Sequence, residues 1–274
     1  KEDFFDSNSI SNLKFRGSWG ITGNDKIGSY GWIGSLQGAN AEATYPFGNV
    51  ISNGNALGQL ANPDLQWETN EQVNIGFDAS FFNSLFDVTV DYYKKTTKNL
   101  LLVPEVSGLL GSTAGGSAAP IVNAGTIENK GWELQLNLTP LKSANFQWDI
   151  TTNWAKNESL VVELLNGIDN LQLGSFQGGI SINATPGQPY GTIRGSDFVY
   201  AANGGRIVNQ TGSASRIGTY QRTGESNQVI GDINPDWKAG VFNTFKYKNL
   251  SLGFLIDIQK GGSVFSLDTW YGYA

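Results

Sequence analysis

The sequence predicts an all-β chain of antiparallel strands. Apolar and polar residues alternate over long runs, glycine is frequent at 35 of 274 residues, and little helical periodicity is present. The first alternating run, LKFRGSWGIT at 13–22, sets Leu13, Phe15 and Trp19 against Lys14, Arg16 and Ser18. In the second, Val73, Ile75, Phe77, Ala79 and Phe81 share one face and Gln72, Asn74, Gly76, Asp78 and Ser80 the other. After Asn83 and Ser84, Phe86, Val88, Val90 and Tyr92 alternate with Asp87, Thr89, Asp91 and Tyr93. A turn centred on Asn83-Ser84 pairs Phe81 with Phe86, Ala79 with Val88 and Phe77 with Val90, so the apolar faces coincide as a shared register demands.

Two further hairpins repeat the design. Trp132, Leu134, Leu136 and Leu138 lead to a turn expected over Pro140 to Asn145, and Phe146, Trp148, Ile150, Thr152 and Trp154 return on the same face. Glu133, Gln135, Asn137, Gln147, Asp149 and Asn153 stand opposite. The last hairpin turns at Lys248-Asn249, with Trp237, Ala239, Val241, Phe245 and Tyr247 answered by Leu250, Leu252, Phe254, Ile256 and Ile258. Asn243 interrupts that apolar face, and Phe242 and Leu255 are expected to meet on the polar one.

The connections alternate between short turns and long Gly-, Ser- and Asn-rich links, roughly 23–66, 102–123 and 156–236. All tight turns therefore fall at one end of the sheet and all long loops at the other. Two architectures fit the period: a soluble β-sandwich, as in a glycan-binding or adhesin module, and a membrane barrel whose apolar face meets lipid. At about 3.3 Å per residue, Val73 to Phe81 covers roughly 30 Å, enough to cross an apolar band about 25 Å tall even when tilted. Aromatics also gather toward strand ends, as interfacial girdles do. The barrel is the favoured reading.

Composition narrows the chemistry. Histidine, cysteine and methionine are absent, which removes imidazole bases, thiolate nucleophiles and the usual structural zinc ligands. A chain without methionine is expected to be a segment of a longer protein or a processed one. Net charge is −6 with scattered Lys and Arg, which argues against nucleic acid as a partner. No run of 18 apolar residues is present, so no transmembrane helix is expected.

Six segments resemble, in order, the barrel region of the SusC/RagA-type TonB-dependent outer-membrane transporters of Bacteroidota. They are LKFRGSWGITGN at 13–24, NPDLQWETNEQVNIGFDASFFNSLFDVTVDYYKKTTKNLL at 62–101, NAGTIENKGWELQLN at 123–137, FQWDITTNWAKNES at 146–159, GQPYGTIRG at 187–195 and NPDWKAGVFNTFKYKNLSLGFLIDIQKGGSVFS at 234–266. The resemblance implies that residues 1–274 form part of a 22-stranded antiparallel transmembrane β-barrel in the bacterial outer membrane, with long extracellular loops. The plug domain and the remaining strands would lie outside this chain. It further implies nutrient import, of oligosaccharides, peptides or similar substrates, with a SusD-like surface lipoprotein as partner. TonB-ExbB-ExbD would act through parts of the protein other than this segment, and the outer face would meet membrane lipid. A GDINPD run at 231–236 is what remains of the Asp-rich loop of some members.

The most suggestive constellation is Asp78, Asp87 and Asp91. It can be read as a cation site or an acid and base pair, or as ordinary polar wall; the second is favoured, because lumen-facing residues of barrels are polar. Asn74, Glu133, Gln135 and Asp149 are assigned to the same lumen wall. Glycine-rich stretches at 108–119 and 260–263 lack the ending of a phosphate loop. Tyr30, Trp32, Phe176, Tyr190, Tyr220, Trp270 and Tyr271 are the candidate loop contacts for substrate or lid. No catalytic residue, cofactor or metal ligand is assigned, and enzymatic activity is not expected.

Overall fold

The computed structural model describes residues 9–25, 27–38, 44–103, 112–113, 116–117, 119–165, 167–213 and 216–273. β1 (Ile10–Asn24) is followed by a loop with two small antiparallel pairs, β2 (Ser35–Gly38) with β5 (Asn55–Gln59) and β3 (Thr44–Phe47) with β4 (Val50–Asn53). β6 (Glu68–Phe81) and β7 (Phe86–Lys98) form the first long hairpin. The next loop pairs β8 (Leu101–Leu102) with β11 (Val122–Asn123), and β9 (Ser112–Thr113) with β10 (Gly116–Ser117). β12 (Gly125–Lys142) and β13 (Phe146–Leu164) make the second hairpin. A separate four-stranded sheet follows, from β14 (Leu171–Phe176), β15 (Ile180–Ala184), β16 (Thr192–Gly195) and β17 (Gln228–Asp232). β18 (Pro235–Tyr247) and β19 (Leu250–Gly261) make the third hairpin, and α1 (Leu267–Tyr273) comes last.

Seven strands join in one antiparallel sheet in the order β1-β6-β7-β12-β13-β18-β19. Every strand lies beside its neighbour in sequence, so the wall is an up-and-down meander. It is not closed: among the described residues β1 and β19 each have a single partner strand. Backbone bonds tie the short turns into one rim, from Thr139 N to Leu85 O (2.9 Å) and from Lys248 N to Asn145 O (2.9 Å).

The register of the first hairpin is the expected one, with Phe81 opposite Phe86, Ala79 opposite Val88 and Phe77 opposite Val90. Phe242 opposes Leu255 as expected. The second turn is tighter than the sequence suggests. β12 runs through Pro140 to Lys142, and the pairing slips between Leu138 and Leu141, where a proline without an N–H is tolerated at a bulge. The turn is then Ser143 to Asn145, closed by Ser143 N–H donating to Phe146 O at 2.8 Å.

The third long link is also shorter than the 156–236 expected, because β13 continues to Leu164. Lys156, Glu158, Leu160 and Val162 keep the alternation of the wall, but charges replace apolar residues there and hide the period. Lys156 pairs with Glu158 on the same strand, and Glu158 in turn with Lys130 of β12.

Burial separates the two architectures. The described apolar residues that are fully buried are Ala79, Ala119, Ala124, Val161, Ile180, Ala184 and Ile193, and all but Ala79 lie in the loops or where β13 meets them. On the wall, Phe15 is 77% exposed, Ile75 61% and Leu252 64%. A sandwich would bury this face under a second sheet, gaining roughly 1.5–3 kcal/mol per large side chain. No second sheet covers it among the described residues. The apolar face is built for a solvent that is itself apolar.

Asn243 on that face is 8% exposed, and its Oδ1 accepts the Trp148 indole N–H at 3.1 Å. The interruption seen in the sequence is thus a satisfied polar pair. Asn243→Ala leaves the indole N–H without its acceptor, and unfolding in detergent micelles should show a loss of about 1–2 kcal/mol. With Trp148→Phe already present the same change should cost less; an equal cost in both backgrounds would refute the pairing.

Candidate functional site

The polar face is organised around Arg16. Register places Arg16 of β1 opposite Gly76 of β6, and Gly76 opposite Asp91 of β7. Position 76 has no side chain, so the guanidinium reaches across it. Arg16 Nε donates to Asp78 Oδ2 at 3.0 Å, while Nη2 donates to Asp78 Oδ1 at 3.0 Å and to Asp91 Oδ2 at 2.8 Å. Thr89, opposite Asp78, donates its hydroxyl to Asp78 Oδ1 at 3.0 Å. A Cβ at 76 would strike Asp91 Oδ1 and stand 2.8 Å from the Val90 carbonyl oxygen.

Two of the three expected carboxylates are therefore joined through a cation within the wall itself. Asp87 stands apart in register with Ser80 and Asn137, and one of its oxygens is buried without a hydrogen-bond partner, like Asp91 Oδ1. Asp149 accepts from Thr139 Oγ1 at 2.9 Å and Gln147 Nε2 at 2.7 Å, with Lys246 Nζ at 3.3 Å. Asn74 lies between Ser18 and Tyr93 in the same register.

Beyond Asp91 a groove of about 320 Å³ crosses five strands, lined by Thr89, Asp91, Glu133, Gln135, Asn153, Lys238 and Asp257 among others. Thr89, Gln135, Asn153, Gly240 and Asp257 follow one another in register, and Gly240 keeps the centre open. The groove therefore offers amides, hydroxyls and both signs of charge.

The opposite face has a sharp upper limit. Tyr92 and Trp132 pair with ring centroids 4.9 Å apart. Immediately loopward the same face turns charged: Lys94 meets Glu128 at 2.8 Å, and Glu158 meets Lys156 at 2.9 Å and Lys130 at 3.6 Å. Glu71 meets Lys98 at 3.2 Å. Outside the apolar belt, the hydrogen bond from Lys156 and the charges of Lys156 and Lys130 hold the Glu158 carboxyl below the usual carboxylate range. Lys98, with help from Trp19, does the same for Glu71.

The loop aromatics do not converge on one site. Tyr30, in the left-handed region at φ 62°, and Trp32 project from the first loop, 75% and 52% exposed. Phe176 ends β14 beside Gln177, whose Oε1 accepts from the Tyr271 hydroxyl, so Phe176 and Tyr271 lie close together. Trp270 is in α1, with its side chain outside the described residues. Tyr190 is half-buried, and its carbonyl accepts from Asn234 Nδ2 at 2.7 Å. Tyr220 meets Phe198 edge-on at 5.6 Å. Asp232 accepts the Asn234 N–H at 2.9 Å, so the GDINPD run is an internally bonded turn. The glycine-rich 108–119 stretch lies largely outside the described residues.

A single meander, apolar on one face and polar on the other, with turns on one rim and loops on the other, is a section of barrel wall. The family model described as "TonB dependent receptor-like, beta-barrel" matches residues 8–259. The chain belongs to that family. Among named TonB-dependent receptors, P3 of Formosa agariphila is 29% identical over 96% of this chain and 27% of its own length. SusC of Bacteroides thetaiotaomicron is 31% identical over 62% of this chain and 17% of its own. The solved RagAB peptide transporter superimposes with a TM-score of 0.72 at 22% identity, over 93% of this chain and 27% of that one. The chain spans about a quarter of the length of the curated relatives P3 and P26.

For a TonB-dependent receptor barrel the residue least expected from sequence is Arg206. Its guanidinium lies 4.3 Å from the Phe198 ring centre and 5.3 Å from that of Tyr220. The signal was available: four of the five arginines fall between 194 and 222, a stretch with no lysine.

Proposed function

We propose that this chain forms part of the wall and outer loops of an outer-membrane importer that moves nutrients through a plugged, hydrated lumen. The observation that carries this reading is the wall itself, with an uncovered apolar face on one side and an Arg16-centred polar network on the other. In this reading residues 1–274 are a partial barrel domain of a 22-stranded barrel, with the short turns in the periplasm and the long loops outside. The apolar face meets outer-membrane lipid, the lumen holds a plug, and TonB-ExbB-ExbD supplies the energy through parts outside this chain. A SusD-like lipoprotein closes the outer side, where Tyr30, Trp32, Phe176, Tyr190, Tyr220, Trp270 and Tyr271 are candidate contacts for lid or substrate. Asn74, Asp78, Asp87, Asp91, Glu133, Gln135 and Asp149 line the passage and do no covalent chemistry. The named relatives and the RagAB peptide importer, alike in fold, support an import role, and no enzymatic step is invoked.

Two measurements test it. The protein should leave its native membrane only with detergent, and its gel mobility should shift on boiling as the β-wall unfolds. Cells lacking TonB should lose uptake of the nutrient that supports growth through this protein. Extraction as a folded monomer without detergent would overturn the proposal.

A further inference from the structure

We infer that the outer excursion between β16 and β17, residues 196–227, binds acidic oligosaccharides through Arg216 and Arg222. The inference rests on the reading of these loops as the outward end of an importer. The wall pairs its cations mainly through lysine, whereas Arg206, Arg216 and Arg222 gather in this one excursion. Among the described residues none of the three lies within ion-pairing distance of a carboxylate. The two nearby acids are otherwise engaged: Asp197 Oδ1 accepts the Phe198 N–H at 2.7 Å, and Glu225 Oε2 accepts from Asn227 Nδ2 at 2.7 Å. Residues 196–227 thus carry three arginines against Asp197 and Glu225, a net charge of +1 in a chain of −6.

A cleft of about 960 Å³ opens beside these arginines. That is the upper end of ligand-site sizes, roughly 300–1,000 Å³, and suits an oligomer better than a single ion. Arg216 and Arg222 line it together with Asn209, Thr211, Gln221 and Thr223, and no aliphatic side chain is among the lining residues. Beside the Phe198 and Tyr220 rings, which also line the cleft, its hydroxyls and amides match sugar hydroxyls, whereas an extended peptide would call for aliphatic side-chain pockets or a free strand edge. The planar guanidinium suits a carboxylate or sulfate on the sugar ring, bound through two parallel N–H bonds.

The site is held in advance of binding. Isolated antiparallel β-bridges join Phe198 to Arg222, Tyr200 to Arg206 and Val208 to Tyr220. Arg206 stacked on Phe198 and Tyr220 braces the pair of rings from the side. The loop order that a ligand would otherwise have to impose is already present, which favours affinity.

The test uses the protein purified in detergent from its own outer membrane. It is titrated by calorimetry with an oligogalacturonate, a sulfated galactan oligomer, a neutral maltooligosaccharide of equal length and tetraglutamate. Binding of the carboxylated or the sulfated sugar, weakening with salt, is expected, and the arm that binds identifies the oxyanion. The neutral sugar should bind at least about tenfold more weakly. Arg216→Gln and Arg222→Gln should each cost about tenfold, in line with a charge-assisted hydrogen bond, with gel mobility unchanged. The inference is overturned if neither acidic sugar binds, if the neutral sugar binds equally, or if the variants bind as the wild type does. Tetraglutamate binding as tightly through the same arginines would replace the saccharide with an acidic peptide. TonB-dependent uptake persisting while these titrations fail would sink this inference alone; loss of detergent dependence would sink the importer reading beneath it.

Discussion

Val88→Arg is expected to cost about 2–4 kcal/mol of folding stability in a bilayer, the price of a cation on the lipid face of a barrel near the midplane. Val88 sits between Ala79 of β6 and Leu136 of β12, two positions above Phe86 and four below Tyr92. Its neighbours on both sides are apolar, and a guanidinium there has no partner within the belt. The adjoining Asp87→Asn points to the other face and should leave folding nearly unchanged. Urea titration in lipid vesicles reads both variants. Equal tolerance of the two would mean that the faces have been assigned the wrong way round.

A second large effect is expected at Gly76. Gly76→Val forces a branched side chain into the space through which Arg16 reaches Asp91, and toward the Val90 carbonyl oxygen as well. The carbonyl belongs to the backbone and cannot swing aside as the Asp91 carboxylate can. Overpacking of this kind costs about 1–3 kcal/mol and occasionally more, and displacement of Asp91 from Arg16 adds to it. Asp91→Ala in the same chain should return part of the loss, because the side chain nearest the new methyl groups is gone. The double variant should be more stable than the sum of the singles by about 1 kcal/mol. Strict additivity would show that Gly76 does not serve the Arg16 bridge.

The wall was legible in the sequence because a period of two, repeated over nine or more residues, leaves one register that keeps Phe77, Val90 and Leu134 on a single face. The loops were not. β2 to β5 and β14 to β17 are short, and four to six residues carry too few repeats for alternation to stand out from chance. Pro140 shows a different limit. Proline signals a turn locally, and only the bulge between Leu138 and Leu141, a property of the paired strand, lets β12 continue through it.

The candidate site divides in the same way. Asp78 opposite Thr89 follows from the hairpin register alone. The Arg16 link does not, because β1 and β6 are separated by the whole first loop and only the sheet order makes them neighbours. For the seven loop aromatics, residue type says that a ring can stack but not where it stands, and the structure spreads them over several places. The clustering of four arginines between 194 and 222 is a property of the sequence, hidden when lysine and arginine are read together as scattered charge.

The charged collar above Tyr92 and Trp132 has a mechanical consequence. An inward slip of the wall would drag Lys94, Lys130 and Lys156, with their glutamates, toward hydrocarbon. An outward slip would lift Tyr92 and Trp132 out of it and draw the turn at Asn83 and Ser84 in. The wall thus sits in a trough of position along the membrane normal, with a restoring force in either direction. In the proposed importer, a load applied from the inner side of the membrane would find the wall resisting displacement as a fixed frame. The work of that load would go into whatever the frame holds.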